Sequence, residues 1–364
     1  MTLYAAVGSL TRAAAHFATA NGEGVTLCRF DEQSGQLLAC SDPLRIEDST
    51  WIAPDPARRQ FHVVTDIDGG HESALATLRL DEFGERLILL NTQRAAGHEG
   101  CHAALSMDGR TVYVASYGGA RVEGADAGLA VIPVGEAGPL PALAAFTHVG
   151  SGPNAARQES SHAHCVLPSP DGRFLFVADL GADRLVAYEV SGVIPAPRPD
   201  LDVKLEPGLG PRHFVFAKDG RHVFLVSELV AAVTTLSYDA DSGRMQVLRR
   251  LSLERSDGAT VQPSGIVLHP DGRHLFAAVR QTDEIIAIAV EEPSALLQVV
   301  GRFPSGGRTP RDLVVSPSGR FLIVANQDSD LVTVWPIQDG QIGPEPSCNL
   351  VIGTPMAVAL AEIA

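Results

Sequence analysis

At 364 residues and 45% hydrophobic content, the chain can fold as one large all-β domain or as two average domains with a sizeable core. Its net charge of −15 argues against nucleic acid or an anionic membrane surface as a partner, because both attract basic patches. No apolar run reaches the ~20 residues of a membrane span. Residues 1–17 do not read as a signal peptide. We therefore expect a cytoplasmic protein whose five cysteines, at positions 28, 40, 101, 165 and 348, are reduced thiols.

Along the chain, one short sequence motif recurs: an apolar run is followed by a turn of Pro, Asp and Gly residues and then by a second apolar run. After a degenerate copy, "IAPDPARRQFHVVTD", it appears as "LSMDGRTVYVASY", "PSPDGRFLFVADL", "FAKDGRHVFLVSEL", "LHPDGRHLFAAVR" and "VSPSGRFLIVANQ". Each copy predicts a β-hairpin. The turn glycines, at positions 109, 172, 220, 272 and 319, are separated by 63, 48, 52 and 47 residues. A period near 50 residues made of strands alone indicates a β-propeller.

Third and fourth strands follow the hairpins, as in "RLVAYEV" and "MQVLRRLSL", so each unit is a four-stranded antiparallel blade. Six blades begin near Trp51, Cys101, His162, Arg212, Pro263 and Arg311. Three N-terminal strands and one C-terminal strand remain, and they make a composite seventh blade. We therefore predict a single all-β domain over 1–364, a seven-bladed β-propeller closed by pairing the C-terminal strand with the N-terminal strands. Residues 118–128 are predicted to form a surface loop.

Polar residues recur at one end of the predicted hairpins. They precede the inner strand at His162, His164, Arg212, His213 and Arg311, and they follow the second strand at Asp179, Glu228, Arg280, Asn326 and Gln327. Because a hairpin reverses direction, these positions are neighbours. In one interpretation, these residues have a purely structural role and join neighbouring blades. Three arginines facing one channel would nevertheless repel each other without an anion, so the pattern predicts a small anionic substrate.

His162 and His164 are spaced like two ligands on one face of a strand, and Asp179, Asp183, Glu228 and Asn326 could also face a cation. The neighbouring arginines disfavour a metal, so we expect neither a metal nor a cofactor. Cys165 is interpreted as a packing residue.

His98 and His102 are interpreted as loop residues.

Five stretches of the chain carry a family resemblance: 7–38, 102–119, 150–190, 208–229 and 309–332. Together they resemble the seven-bladed propeller lactonases, the family that includes propeller-type 6-phosphogluconolactonase and the fungal 3-carboxy-cis,cis-muconate lactonizing enzyme. The resemblance implies a lactone hydrolase of carbohydrate metabolism, with His164, Arg212, Glu228 and Arg280 as the active centre. It also implies Arg311 and Gln327 beside the channel, and we add His162 and His213 as substrate-binding residues. Where the family has asparagine at the channel mouth, this chain has Ser116, Ser227 and Val279.

Hydrolysis of a lactone needs an activated water and a stabilised oxyanion. We expect Glu228 or His164 to be the general base, with Arg212 and Arg280 holding the oxyanion and a substrate carboxylate. Glu228 stands 16 residues after Arg212 across one hairpin, so the two can pair. The alternatives are a muconate-type cycloisomerase, a metal-dependent lactonase, and a non-catalytic scaffold for protein partners. We expect a monomer or a weak homo-oligomer.

Overall fold

The computed structural model describes residues 2–13, 20–67, 72–118 and 127–363. Over these residues the protein is all-β, and its seven antiparallel sheets are the blades of a seven-bladed β-propeller, as predicted. The described helices include two 3-10 segments, Pro56–Arg58 and Gln327–Ser329. None of the helices in this part of the chain is long and apolar enough to cross a membrane. The loop predicted at 118–128 lies mostly outside the described residues.

The strands follow the predicted order of blades. Blade 1 contains β1 (Thr2–Ser9), β2 (Val25–Asp31), β3 (Gln36–Ala39) and the last strand, β31 (Pro355–Ile363). Blade 2 contains β4 (Trp51–Asp55), β5 (Gln60–Ile67), β6 (Glu72–Leu80) and β7 (Leu87–Arg94). Blade 3 contains β8 (Gly100–Leu105), β9 (Thr111–Ser116), β10 (Leu129–Gly135), β11 (Gly138–Pro139) and β12 (Ala144–Phe146). Blade 4 contains β13 (Ala163–Pro168), β14 (Phe174–Asp179), β15 (Arg184–Glu189), β16 (Ala196–Pro197) and β17 (Val203–Lys204).

The remaining three blades complete the set. Blade 5 contains β18 (Pro211–Phe216), β19 (His222–Ser227), β20 (Ala232–Asp239) and β21 (Arg244–Ser252). Blade 6 contains β22 (Pro263–Leu268), β23 (His274–Val279), β24 (Glu284–Glu291) and β25 (Leu296–Pro304). Blade 7 contains β26 (Pro310–Val315), β27 (Phe321–Asn326), β28 (Leu331–Gln338), β29 (Gln341–Ile342) and β30 (Cys348–Val351). The predicted starts of all six continuous blades agree with these strands.

Blades 3, 4 and 7 differ from the four-stranded prediction, because the outer strand is broken into two short strands in each. Proline is frequent in these segments, as in "GPLPALAAF" and "APRPDLDVK". Proline cannot donate to a strand ladder, so it interrupts pairing and is tolerated at a sheet edge. The outer edge of these blades is therefore discontinuous.

Blade 1 closes as predicted, because β31 pairs antiparallel with β1 over its length, from Thr2 opposite Ile363 to Ser9 opposite Pro355.

The core lies between neighbouring sheets, and the alternation of side chains along β14 illustrates it. Phe174 and Phe176 pack toward blade 5, whereas Leu175 and Val177 pack toward blade 3. Both faces of an inner blade are thus buried, which explains strands that are apolar at every position.

By their contacts the residues form two compact units, one of Met1–Phe61, Leu78–Leu89 and Leu253–Ala364, and one of His62–Thr77 and Leu90–Ser252. Blades 1, 6 and 7 belong to the first unit and blades 3, 4 and 5 to the second.

A recurring aspartate joins consecutive blades within each unit. In the second unit the carboxylate of Asp183 accepts the N–H groups of Gly208 and Gly210 at 2.6 and 2.8 Å, just before β18. In the first unit Asp283 accepts from Thr309 at 2.6 Å, just before β26. The three aspartates of this kind, Asp183, Asp283 and Asp330, all have left-handed backbones, with φ of 48°, 53° and 52°. The charge-assisted hydrogen bonds offset the strain of that conformation.

Candidate active site

The inner strands begin with a β-bulge that sets the direction of one side chain. In β13 the register runs from Ala163 opposite Asp179 to Cys165 opposite Ala178, so His164 is the extra residue. In β18 the same irregularity makes Arg212 the extra residue, and in β26 it is Arg311. A bulge interrupts the alternation of side chains and re-aims one of them. Three of the residues predicted from sequence therefore occupy one special backbone position.

Arg212 and Glu228 form a buried ion pair within blade 5. The Arg212 Nε donates to Glu228 Oε2 at 2.8 Å, and each side chain is only 2% exposed. Glu228 follows β19 directly, and its backbone N–H donates to the carbonyl of Gly210. The predicted pairing across the hairpin is confirmed. Because the pair is almost fully desolvated, neither charge is screened by water.

A second guanidinium contacts the same carboxylate. Arg157 Nη2 donates to Glu228 Oε1 at 2.5 Å and lies 3.3 Å from the hydroxyl of Tyr117. Burial alone would lower the pKa of Arg157, but the charge of Glu228, its hydrogen bond and the contacts with Tyr117 together outweigh burial and raise the pKa. Arg157 is half-buried, in contrast to Arg212, so it forms the solvent-facing side of this group. Arg157, Arg212 and Glu228 thus combine two cations with one anion.

Three imidazole rings pack beside these charges. The ring of His213 lies 5.3 Å from those of both His102 and His164, at steep angles. The Nη1 of Arg212 is 3.1 Å from His213 Nε2, and a guanidinium can only donate, so this nitrogen is unprotonated. Burial, with a smaller effect of Arg212, lowers the pKa of His102 to about 3. His102 and His213 are therefore neutral beside the arginines.

His164 is the member of the histidine group that also contacts the aromatic ring of Tyr117. The two ring centroids are 5.6 Å apart in an edge-to-face arrangement. His164 is buried on the bulge of β13, between Tyr117 and His213. This position brings an imidazole to the group formed by Arg157, Arg212 and Glu228.

His162 has a supporting position. Its backbone N–H donates to Asp179 at 2.9 Å, and its Nδ1 lies 2.8 Å from the carbonyl oxygen of Tyr117. The ring stacks on Tyr117 with 4.5 Å between centroids, and Nε2 is 3.3 Å from Glu159. His162 therefore fixes Tyr117, and through it the ring against which His164 packs.

Arg280, Arg311 and Gln327 lie in the other compact unit. Arg280 donates from Nη2 to the carbonyl of Pro263 at 3.3 Å. Arg311 is half-buried on its bulge. Gln327 is buried and donates from Nε2 to Asp328 at 2.9 Å. Their convergence with Arg212 stays a prediction.

Two carboxylates considered as metal ligands have structural partners. Asp179 accepts from the Ser161 hydroxyl and the His162 backbone, and Asp183 joins blades 4 and 5 as described. Cys165 belongs to the hydrophobic core, as expected, and all five cysteines are free.

The structure corrects the interpretation of His102, which lies on β8 and not in a loop. The backbone N–H of Val166 lies 3.4 Å from its Nδ1, and Cys165 Sγ lies 3.4 Å from its Nε2. Sequence reasoning also missed Arg157 and Tyr117. Arg157 stands in the segment just before β13, so its proximity to a blade start was a usable signal. Tyr117 follows β9 at the position equivalent to Glu228, which was a second one.

Comparisons with known proteins agree with this architecture. A family model described as "Lactonase, 7-bladed beta-propeller" matches residues 4–360. The chain is 26% identical over 342 residues to a 6-phosphogluconolactonase of Formosa agariphila, covering 92% of this chain and 94% of that one. It is 27% identical over 310 residues to a 6-phosphogluconolactonase of Bacillus subtilis, covering 84% and 85%. The solved periplasmic gluconolactonase of Pseudomonas aeruginosa superposes with a TM-score of 0.87 at 27% identity, covering 100% of both chains.

Proposed function

The chain belongs to the family of seven-bladed β-propeller lactonases, and from that membership we propose that it hydrolyses a small lactone that carries an anionic group. Two curated relatives are named 6-phosphogluconolactonase and one solved relative gluconolactonase, so a sugar lactone is the substrate class we favour. The location of the reaction at the mouth of the central channel is part of the same proposal.

The observation that supports an anionic substrate is the grouping of Arg157 and Arg212 around Glu228. Two guanidinium groups share this one carboxylate, and the neighbouring His102 and His213 are neutral. Two arginines grouped in a largely buried site attract an anion, although the chain as a whole has a net charge of −15. Arginine can bind a carboxylate or phosphate through two parallel hydrogen bonds. Because Arg157 is the solvent-facing member of the group, we assign to it the binding of the anionic group of the substrate.

We assign the proton transfer to His164. Both oxygens of Glu228 already accept hydrogen bonds from guanidinium groups. Glu228 is therefore a weak proton acceptor, and its role is to position the two arginines. An imidazole exchanges protons near neutral pH. His164 takes a proton from the attacking water, and the oxygen of that water bonds to the lactone carbonyl carbon. The resulting oxyanion is stabilised by a guanidinium donor, a role that we assign to Arg212. The intermediate collapses when the ring C–O bond breaks, and the leaving oxygen takes the proton back from His164.

The first test is a matched pair of substrates that differ by one phosphate, 6-phosphogluconolactone and gluconolactone. Lactone opening is followed by pH-stat at neutral pH, and the spontaneous rate is subtracted. We expect kcat/KM to be at least about tenfold higher for the phosphorylated lactone, equivalent to one charge-assisted contact. Equal rates would leave lactone hydrolysis standing and would refute the anion preference. No rate above background on a wider panel of aldonolactones and muconolactones would refute the lactonase proposal and favour a non-catalytic scaffold.

The second test addresses Arg157. The substitution Arg157→Lys keeps the charge but cannot reach Glu228 and Tyr117 with the same planar geometry. We expect KM for the phosphorylated lactone to rise about tenfold, with little change for the neutral lactone. Arg250→Lys is the matched control. Arg250 lies in the outer strand β21 of the same compact unit and pairs there with the exposed Glu206. Equal effects of the two substitutions would rule out a role for Arg157 in anion binding.

A further inference from the structure

The hairpin turns of blades 3 and 4 share one hydrogen-bonding scheme, and blade 6 departs from it. In blades 3 and 4 the residue before the turn is a serine, and its hydroxyl donates to the turn aspartate. The distances are 2.7 Å from Ser106 to Asp108 and 2.6 Å from Ser169 to Asp171. The equivalent residue of blade 6 is His269, whose carbonyl accepts the N–H of the turn glycine as Ser106 and Ser169 do. A hydroxyl donor is thus replaced by an imidazole.

The tautomer of His269 is set by the neighbouring blade of the same unit. Its Nε2 lies 2.7 Å from the carbonyl oxygen of Gly319, which can only accept, so Nε2 carries the proton. A neutral ring then presents its Nδ1 lone pair toward Asp271, whose backbone N–H donates to it at 3.1 Å and whose Oδ1 lies 3.0 Å away. Nδ1 and Oδ1 thus face each other where blades 3 and 4 have a hydroxyl donor and a carboxylate acceptor. A metal ion between them binds Nδ1 in place of that backbone N–H.

A third group completes the cluster. His274 lies opposite His269 at the base of the turn, where the His269 N–H donates to the His274 carbonyl at 2.8 Å. Its Nδ1 is 2.7 Å from Asp271 Oδ2, and the two histidine rings are 6.0 Å apart and nearly perpendicular. One ligand atom from each of His269, Asp271 and His274 lies within 4.8 Å of the others. Both rings are largely shielded, because Gly319 and Gly340 pack directly against them.

We propose that His269, Asp271 and His274 bind a divalent transition-metal ion of the Zn²⁺ type, with water as a further ligand. Two imidazole nitrogens and a carboxylate are a donor set that such ions favour. The Gly319 carbonyl supplies the outer hydrogen bond that orients His269 as a ligand. Binding releases the proton held between His274 and Asp271. The turn stands at the opposite end of β23 from Arg280, so the site is separate from the proposed lactonase chemistry and acts by holding the hairpin of blade 6.

The chain provides its own control in blade 5. There the same turn contains Asp219 and His222, with Nδ1 2.7 Å from Oδ2, but Ala217 stands where blade 6 has His269. This turn has two of the three groups and lacks the first imidazole. It should not bind the ion.

The test uses the full chain without a histidine tag, stripped with EDTA and titrated with Co²⁺ by absorption and with Zn²⁺ by calorimetry. We expect one ion per chain, visible Co²⁺ bands typical of nitrogen and oxygen ligands, and a higher Tm with Zn²⁺. His269→Ser recreates the turn of blades 3 and 4, so it should fold as the parent does. It should weaken binding by more than the roughly 10–100-fold that loss of an outer partner costs. His222→Asn should bind as the parent does.

Three results would overturn the assignment. The first is no stoichiometric binding of Co²⁺ or Zn²⁺ by the parent. The second is unchanged affinity in His269→Ser. The third is an intense thiolate-to-Co²⁺ charge-transfer band, which would move the ion to one of the free cysteines. Lactonase activity is not the readout, so failure of the proposed function and failure of this site are distinguishable.

Discussion

Glu228→Gln is the substitution that tests the candidate site most directly. The change keeps the size and shape of the side chain but removes a carboxylate that accepts from both Arg157 and Arg212. One amide oxygen can still accept from one guanidinium, while the amide NH₂ must face the other. Two guanidinium groups, one of them 2% exposed, then lose the counter-charge that they share.

The cost follows from the burial of Arg212. Breaking a buried pair by removing one partner destabilises a protein by about 3–5 kcal/mol, because it leaves an uncompensated charge. Since one hydrogen bond survives, we expect about 3 kcal/mol. For a chain of this length about 2 °C of Tm accompanies each kcal/mol, so Tm should fall by roughly 6 °C. Displacement of the arginines should also lower kcat/KM by at least about 100-fold.

Thermal unfolding and lactone hydrolysis are measured on the same preparations. Glu206→Gln is the control, since Glu206 is an exposed partner of Arg250 and surface pairs are worth about 0–1 kcal/mol. If Glu228→Gln matched that control in both Tm and kcat/KM, the reasoning from the buried pair would be wrong. A fall in Tm with full activity would keep the pair as structure and remove it from the catalytic proposal.

Three further predictions concern neighbouring groups. His164→Asn should lower kcat by about 100-fold or more with little change in Tm, whereas an unchanged kcat in steady-state assays would exclude His164 as the base. His102 should make the fold less stable in acid: its folded pKa of about 3 lies below the ordinary 6.5, so its contribution is complete above pH 6.5 and is lost as pH falls toward 3. Between pH 6.5 and 4, the free energy of unfolding measured with urea should therefore fall less steeply with decreasing pH in His102→Gln than in the parent, by up to about 1.4 kcal/mol per pH unit. An identical slope would contradict a neutral His102 in the folded protein. Asp183→Ala should lower the free energy of unfolding by about 3 kcal/mol, because two charge-assisted bonds to a buried carboxylate are lost, while the exposed Asp200→Ala should cost less than about 1 kcal/mol; equal costs in urea titrations would refute the role of Asp183 in joining blades.

The fold was predictable because a propeller repeats its local signals. The turn glycines and the two flanking apolar runs fixed the blade count and even the composite first blade, since a leftover single strand must pair with a sheet that lacks one. The broken outer strands were not anticipated. Pro141 and Pro199 lie where the outer strands are broken, and the spacing of the repeat does not predict such breaks.

The site was predictable only where it follows the repeat. Arg212 and Glu228 lie at fixed offsets from the turn of blade 5, so their pairing could be foreseen. Arg157 comes from a segment between blades that has no counterpart at a fixed repeat position. His102 was interpreted as a loop residue although the predicted start of blade 3 near Cys101 already placed it in the inner strand, and its packing beside His213 was not foreseen.

The bulge positions of this chain can be located from the sequence by counting back from the turn glycines. The extra residue of β13, β18 and β26 lies eight positions before the turn glycine in each strand: His164 before Gly172, Arg212 before Gly220 and Arg311 before Gly319. The same count places Cys101 and Ser264 at the equivalent positions of blades 3 and 6. Because this residue stands outside the pairing register, replacing it leaves the ladder unchanged, whereas deleting it would shift the register and turn the neighbouring side chains to the wrong face. One side chain per blade can thus be changed by substitution while the strand register and the distance of eight residues to the turn glycine are kept.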